Sequence, residues 1–157
     1  MSDALVSGTA VTASGTSVDF TGIPAGVKRV TVMFSGVSTS GTSNIQIQLG
    51  YSGGVETTGY TSVCTRTAGA ALQTNAVTSG FLVNIANANN ALFGTYVITL
   101  VSGFAYTEQG NSSDQTNIAN YISAGGKTLT GTLDRIRITT VNGTDAFDAG
   151  TINIMYE

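Results

Sequence analysis

The chain has 157 residues, a formal net charge of −3 and a sequence pI of about 4.6. Only 10% of the residues are charged, whereas an average soluble domain carries roughly 25%, and mean hydropathy is +0.21. This balance lacks the basic footprint of a nucleic-acid-binding protein. The length fits one domain, residues 1–157, with one core. The low charge predicts that much of the surface is covered by other copies of the chain.

Few groups in the sequence could support metal or thiol chemistry. There is no histidine, and Cys64 is the only cysteine, so the supply of ligands excludes zinc and most transition-metal sites. We expect no cofactor. A lone cysteine in a strand-like run is typical of a small buried hydrophobic residue. No apolar run approaches about 18 residues, and the first residues lack the pattern of a secretory signal. We therefore expect no membrane insertion.

In chain order, short strands are predicted over residues 4–13 and 17–20, followed by the clearest pattern at residues 27–49. There, Val30, Val32 and Phe34 fall on one face of a strand and Val37 on the other. A Ser/Thr/Gly run separates this arm from a second alternating arm that ends at Leu49. These features predict a long antiparallel hairpin.

Further strands are predicted over residues 60–65, 81–85, 96–101, 104–107, 129–141 and 152–156. Residues 86–90 and 108–115 are predicted loops, residues 68–78 a loop or helical turn, and residues 118–123 either a strand or a short helix. No segment longer than a turn or two has a 3.6-residue apolar period. Short strands with turn residues between them predict an all-β fold, an antiparallel β-sandwich that is jelly-roll-like.

Two short motifs resemble catalytic signatures. Residues 50–54 match G-x-S-x-G, but that motif needs a following helix and a histidine to take the serine proton. Residues 125–128, GGKT, resemble the end of a phosphate-binding loop, yet a strand is predicted where a helix should begin. The carboxylates have no spacing that places two of them opposite each other for glycoside cleavage. We therefore expect no enzymatic activity and no catalytic residue.

One acidic turn precedes the last predicted strand. Asn142, Asp145 and Asp148 could supply oxygen ligands to Ca²⁺. The simpler interpretation, which we favour, is that these side chains cap a turn.

Recognition residues, if present, are expected on loops held by the β scaffold. The loops richest in suitable groups are predicted at residues 50–58 and 108–117. The first contains Tyr51 and Glu56, and the second contains Asn111, Asp114 and Gln115. Amides and carboxylates can hydrogen-bond to sugar hydroxyls, while a tyrosine ring covers the C–H face of a sugar.

Two blocks near the ends of the sequence carry a family resemblance. Residues 19–43 read DFTGIPAGVKRVTVMFSGVSTSGTS, and residues 133–157 read LDRIRITTVNGTDAFDAGTINIMYE. Both resemble a domain common in bacteriophage and prophage structural proteins, where it often forms the C-terminal part of longer tail-fibre-like chains.

The resemblance implies a structural protein of the phage virion, made in the cytoplasm of the host bacterium. The expected role is that of a tail-fibre or tail-associated component that contacts the host surface, with a surface glycan as candidate ligand. The alternative is a capsid decoration or cement protein that stabilises the phage head. The expected partners are other virion proteins and further copies of the chain, in a homo-oligomer that we expect to be a trimer.

Overall fold

The computed structural model describes residues 4–85 and 89–157, and its strands form two antiparallel sheets. None of the described residues is helical, which confirms the predicted all-β antiparallel class; the jelly-roll subtype stays a prediction. The strands are β1 Val6–Ser7, β2 Val11–Thr12, β3 Ser17–Thr21, β4 Arg29–Thr39, β5 Ile45–Tyr51, β6 Gly54–Val55, β7 Tyr60–Ala68, β8 Ala71–Val77, β9 Phe81–Leu82, β10 Leu92–Ser102, β11 Ala105–Asp114, β12 Ala119–Thr128, β13 Arg135–Thr140 and β14 Phe147–Tyr156.

The larger sheet has the strand order β1-β14-β4-β10-β11-β12-β7-β8, and β2 also pairs with β14. The smaller sheet has the order β3-β13-β5-β6, and β9 also pairs with β5. Buried side chains from both sheets, among them Tyr96 and Ile136, belong to one hydrophobic cluster. The two sheets therefore pack as a sandwich, with the larger sheet extending beyond the smaller one at the β8 end.

The predicted hairpin over residues 27–49 is wrong. Strand β4 lies in the larger sheet between β14 and β10, whereas β5 lies in the smaller sheet next to β13. Each arm does bury one face, since Val32 and Ile47 are both fully buried. Alternation in a sequence reveals a buried face but does not identify the neighbouring strand. Here the Ser/Thr/Gly run carries the chain from one sheet to the other.

A glycine bulge in β4 places Val37 on the face opposite to the predicted one. Gly36 has φ +65°, and the pairing with β10 skips from Ser35 to Val37. The extra residue returns Val37 to the inner face, where it is fully buried instead of lying opposite Val30 as predicted. Gly150 of β14 lies against this bulge, because a Cβ at Gly150 would be 2.4 Å from the Gly36 carbonyl oxygen.

The remaining sequence predictions differ from the structure mainly at polar segments. Residues 108–117, predicted as an exposed loop, are mostly strand β11, and residues 68–78 contain a tight turn and strand β8. Strand β12 settles the ambiguity at residues 118–123, and β13 begins only at Arg135. Its predicted alternation is confirmed, with Ile136 and Ile138 buried. Residues 86–88 of the predicted loop at 86–90 lie outside the described residues.

In the part of the chain that the structure describes, no helix is long and apolar enough to cross a bilayer.

Candidate functional site

Tyr51, the first predicted recognition residue, ends β5 and pairs with Gly54 in a tight hairpin. Its half-buried ring lies between two glycines, because a Cβ at Gly53 or Gly131 would come within 2.5 or 2.8 Å of ring atoms. The hairpin thus holds the ring in place against the loop between β12 and β13. One part of the ring still faces solvent.

Glu56, predicted for the same loop, is held by protein groups. Its Oε2 lies 2.5 Å from Lys127 Nζ, and its Oε1 accepts the Thr130 N–H at 2.8 Å. The Lys127 side chain is 6% exposed and that of Glu56 17%. Lys127 Nζ also donates to the Thr58 carbonyl at 2.9 Å and lies 5.1 Å from the Tyr60 ring centroid. Burial tends to raise the pKa of Glu56, but the hydrogen bonds from Lys127 and Thr130 outweigh it and lower the pKa.

The second predicted set lies on β11 and the turn after it, and its three side chains differ in exposure. Asn111 is exposed in the middle of the strand, Gln115 is exposed in the turn, and Asp114 is buried. Asp114 Oδ1 accepts the Thr116 N–H at 3.0 Å, and its Oδ2 accepts Asn117 Nδ2 at 2.7 Å. Asp114 therefore organises the turn from inside the protein, and only Asn111 and Gln115 face solvent.

The exposed surface around Asn111 is the solvent side of the larger sheet, which we call the outer face. Strand pairing aligns its side chains in three rows across β4, β10, β11, β12 and β7. The rows are Thr31-Val97-Gln109-Ala124-Val63, Met33-Thr95-Asn111-Ile122-Thr65 and Ser35-Phe93-Ser113-Asn120-Thr67. Every side chain in these rows is uncharged.

A shallow depression of about 440 Å³ lies near the middle of the outer face, lined in part by Thr95, Gln109, Asn111 and Ile122. A second depression shares Asn111 and Ile122 and continues to Phe93. Amide and hydroxyl groups therefore surround an apolar surface, since Ile122 is 63% exposed. The sequence identified Asn111 but missed Ile122 and Phe93, because apolar residues in strands are usually assigned to the core.

The turn between β11 and β12 contains a strained residue. Ile118 is 83% exposed and has φ +47°, a left-handed conformation that costs a β-branched residue roughly 1 to 2 kcal/mol. We expect Ile118→Gly to raise the free energy of unfolding by about 1 kcal/mol, measured by urea denaturation. Ile122→Gly is the matched control, because glycine within an extended strand should lower the free energy of unfolding by a similar amount. Destabilisation by both changes would contradict the prediction.

Glu108 is a buried carboxyl group on the inner side of β11, with 2% of the residue exposed. Its Oε1 accepts the Ser123 hydroxyl at 2.8 Å, while Oε2 has no hydrogen-bond partner among the described residues. Burial raises the pKa of Glu108 to about 7, although the Ser123 bond opposes the shift. Burial, with a smaller contribution from Glu108, also raises the pKa of the Cys64 thiol to about 12. Cys64 is fully buried, as predicted, and its thiol stays protonated at neutral pH.

The acidic turn before β14 is closed by its own side chains. Asn142 Nδ2 donates to Asp145 Oδ1 at 2.8 Å, and Asn142 Oδ1 accepts the Asp145 N–H. Asp145 Oδ2 accepts the Ser43 N–H, while Asp148 accepts the Ser38 hydroxyl. The bonds from Asn142 and Ser43 lower the pKa of Asp145. This geometry supports turn capping, and no group of three or more His, Cys, Asp or Glu residues in the described ranges could hold a metal ion.

The two motif-like segments lie in β structure. Residues 50–54 include the tight turn between β5 and β6, and residues 125–128 form the end of β12. Neither segment is followed by the helix that its motif requires.

No protein-family model matches the chain, and a comparison with curated proteins found no match. The fold and the site define an antiparallel β-sandwich protein whose larger sheet presents a broad uncharged surface to solvent.

Proposed function

We propose that the chain is a non-enzymatic structural protein of a phage virion, a homo-oligomeric tail-fibre or tail-associated component that contacts the host surface. The observation that carries the proposal is the set of three uncharged rows on the outer face. The resemblance of residues 19–43 and 133–157 to phage structural domains adds the virion context.

The composition of the outer face suits a surface that becomes covered. Threonine, serine and asparagine side chains lose water at a lower cost than charged groups do. Ile122, Phe93 and Val63 are exposed among them, and clustered exposed apolar side chains commonly mark interaction surfaces. The three rows therefore offer hydrogen-bonding groups and apolar area with no charge to neutralise, and the nearest charge on this side of the sheet is Arg29, paired with Glu157.

This chemistry fits a glycan on the host surface. The Asn111 and Gln109 amides and the Thr95 hydroxyl can hydrogen-bond to sugar hydroxyls, while Ile122 offers an apolar surface to the C–H side of a sugar ring. An open depression of this kind binds one sugar weakly. Several copies in a homo-oligomer would raise the overall affinity through avidity. Tyr51 and Glu56 lie in the smaller sheet and the loop beside it, so they would form a separate contact.

The surroundings of the carboxylates and of Ser52 support the non-enzymatic part of this proposal. The carboxylates of Glu56 and Asp114 are occupied by hydrogen bonds, and Glu108 is buried away from solvent. Ser52 lies in a tight turn with no histidine anywhere in the chain. Ser52→Ala should leave any measured action on esters or glycans unchanged.

Adsorption of the purified protein to host cells tests the host-contact role. We expect Asn111→Ala to weaken binding about threefold to tenfold, since a lost hydrogen bond to a ligand is worth about 1 kcal/mol. Asn153→Ala is the matched control, because Asn153 lies on β14 at the far end of the Met33 row and lines neither depression. Equal binding by both variants would rule out the depression as the contact.

Electron microscopy of virions carrying a gold-labelled antibody against the chain would locate the protein. Label on tails supports the proposal. Label on heads, together with no adsorption to host cells, would replace it with the capsid decoration role, for which the same uncharged face would lie on the capsid surface. Absence of label from purified virions would contradict both roles.

A further inference from the structure

Strand β8 forms an open edge of the larger sheet. It pairs with β7, and no other strand of the described residues pairs with it. Residues 71–76 are all exposed, and Leu72 is 69% exposed. Both faces of β8 therefore meet solvent, because the smaller sheet does not extend this far. A strand of seven residues without charge, proline or glycine is left with one side unpaired.

The other sheet edges carry the features that usually prevent pairing with another chain. The opposite edge of the larger sheet consists of β1 and β2, which have two residues each. In the smaller sheet, β6 and β9 are equally short, and β3 carries Asp19, which is paired with Arg137. Among the edge strands of the described residues, β8 alone is long, uncharged and free of irregularities in its pairing.

The turn between β7 and β8 determines which backbone groups face the open side. The hairpin closes at the pair Ala68 and Ala71, with two residues between them. The two residues that close a two-residue turn form two backbone hydrogen bonds with each other. Along the ladder, such hydrogen-bonded pairs then alternate with pairs that form no hydrogen bond to each other. Residues 71, 73, 75 and 77 therefore bond to β7. Leu72, Thr74 and Ala76 direct their N–H and C=O groups outward, and the Ala76 N–H donates to Asn75 Oδ1 at 2.8 Å.

We propose that β8 pairs with β8 of a second copy of the chain, antiparallel and about a two-fold axis at Thr74. In this register Thr74 faces its own counterpart, Leu72 faces Ala76, and Gln73 faces Asn75. The outward backbone groups of residues 72, 74 and 76 then meet their complements, and the Ala76 N–H exchanges its exposed bond to Asn75 Oδ1 for one to the carbonyl of the facing Leu72. Apolar side chains lie opposite apolar ones and amides opposite amides, with no charge to repel the partner.

The inference rests on the homo-oligomer of the proposed function and specifies its contact. A two-fold pairing makes two copies the unit of assembly, whereas the sequence led us to expect a trimer. It also joins two larger sheets edge to edge. The outer faces of the two copies would become one continuous surface with two depressions, which is the arrangement that avidity requires.

Proline at position 74 tests the pairing. Thr74→Pro removes an outward N–H that β7 does not use, so the fold should persist. We expect the native chain to have twice the 16.0 kDa chain mass by light scattering at micromolar concentration, and Thr74→Pro to have the mass of one chain. Thr12→Pro is the matched control at the opposite edge. Thr12 lies opposite Thr151, and the next residue, Ala13, donates to the Gly150 carbonyl, so the Thr12 N–H also points outward.

Cross-linking tests the register. Facing residues of a hydrogen-bonded antiparallel pair have Cα atoms about 5.5 Å apart, within the range of a disulfide. Thr74→Cys should therefore form a covalent dimer on mild oxidation, and Gln73→Cys, which faces Asn75 of the partner, should form much less. Cys64 is fully buried and should not interfere.

The outcomes separate this inference from the proposed function. A native oligomer that is unaffected by Thr74→Pro, with no cross-linked dimer of Thr74→Cys, would overturn the β8 pairing and leave the homo-oligomer standing. A native chain that is monomeric at micromolar concentration would overturn both the pairing and the homo-oligomer. The location in the virion is measured independently by the labelled antibody.

Discussion

Between pH 4.5 and pH 7, the Glu108→Gln variant should gain about 3 kcal/mol in free energy of unfolding relative to the native chain. The pKa of Glu108 is raised from 4.5 to about 7 by burial, and each pKa unit corresponds to about 1.4 kcal/mol. The unfolded chain loses this proton near pH 4.5, whereas the folded chain keeps it until about pH 7. The stability of the native chain therefore falls as pH rises through this window. Glutamine stays neutral throughout.

The measurement is urea denaturation at several pH values, followed by circular dichroism because the chain has no tryptophan. Glu56→Gln is a matched control with the opposite sign. The pKa of Glu56 is lowered in the folded chain. Ionised Glu56 therefore contributes to the free energy of unfolding above its unfolded pKa, and this contribution is lost as pH falls. Parallel pH profiles for the native chain and Glu108→Gln would show that the folded protein accommodates the Glu108 charge without cost.

Glu56→Ala should lower the free energy of unfolding at neutral pH by about 2 kcal/mol. The change leaves the Lys127 ammonium buried without its carboxylate, and breaking a buried pair costs more than breaking an exposed one. Asp19→Ala is the matched control, because the Asp19–Arg137 pair is more than one-third exposed on both sides. Its loss should cost less than about 1 kcal/mol.

The double variant Glu56→Gln with Lys127→Met separates the charge from the packing. It removes both charges and keeps most of the side-chain volume, so it should recover part of the loss. If Glu56→Ala costs no more than Asp19→Ala, the ion pair contributes little to stability. Loss of host adsorption with unchanged stability would instead support the predicted recognition role of Glu56.

The fold class and the buried faces could be predicted from the sequence, whereas the pairing of strands could not. Alternation in β13 correctly separated Ile136 and Ile138 from Arg135 and Arg137, because local spacing determines which way a side chain points. The partner of β4 depends on energies between segments far apart in sequence. Proximity along the chain suggested β5, but the inner faces of β4 and β5 are buried in opposite sheets. Gly36 carried a detectable signal, since glycine within a strand often marks a bulge.

The candidate site likewise depends on contacts between segments that the sequence pattern does not reveal. Residues 108–117 were assigned to a loop because of their polarity, yet Glu108, Ser112 and Asp114 point inward and Asn111 points outward. Polar groups can occupy a core when hydrogen bonds satisfy them, as those of Asp114 do. Composition alone does not reveal such bonds. Asn111 was identified for its chemistry, and only the sheet shows that Ile122 lies beside it.

The positions of the last two strands affect how the protein is made. Strand β13 lies between β3 and β5, and β14 lies between β1 and β4, so interior places in both sheets are filled by strands that a ribosome synthesises after the other twelve. Until these strands emerge, β3 lacks its neighbour β13, which pairs Ile138 with Val18, and β4 is paired on one side only, with β10. Pairing over such sequence distances slows folding to milliseconds or seconds. The nascent chain therefore carries open edges that can associate wrongly with other chains until β13 and β14 have emerged.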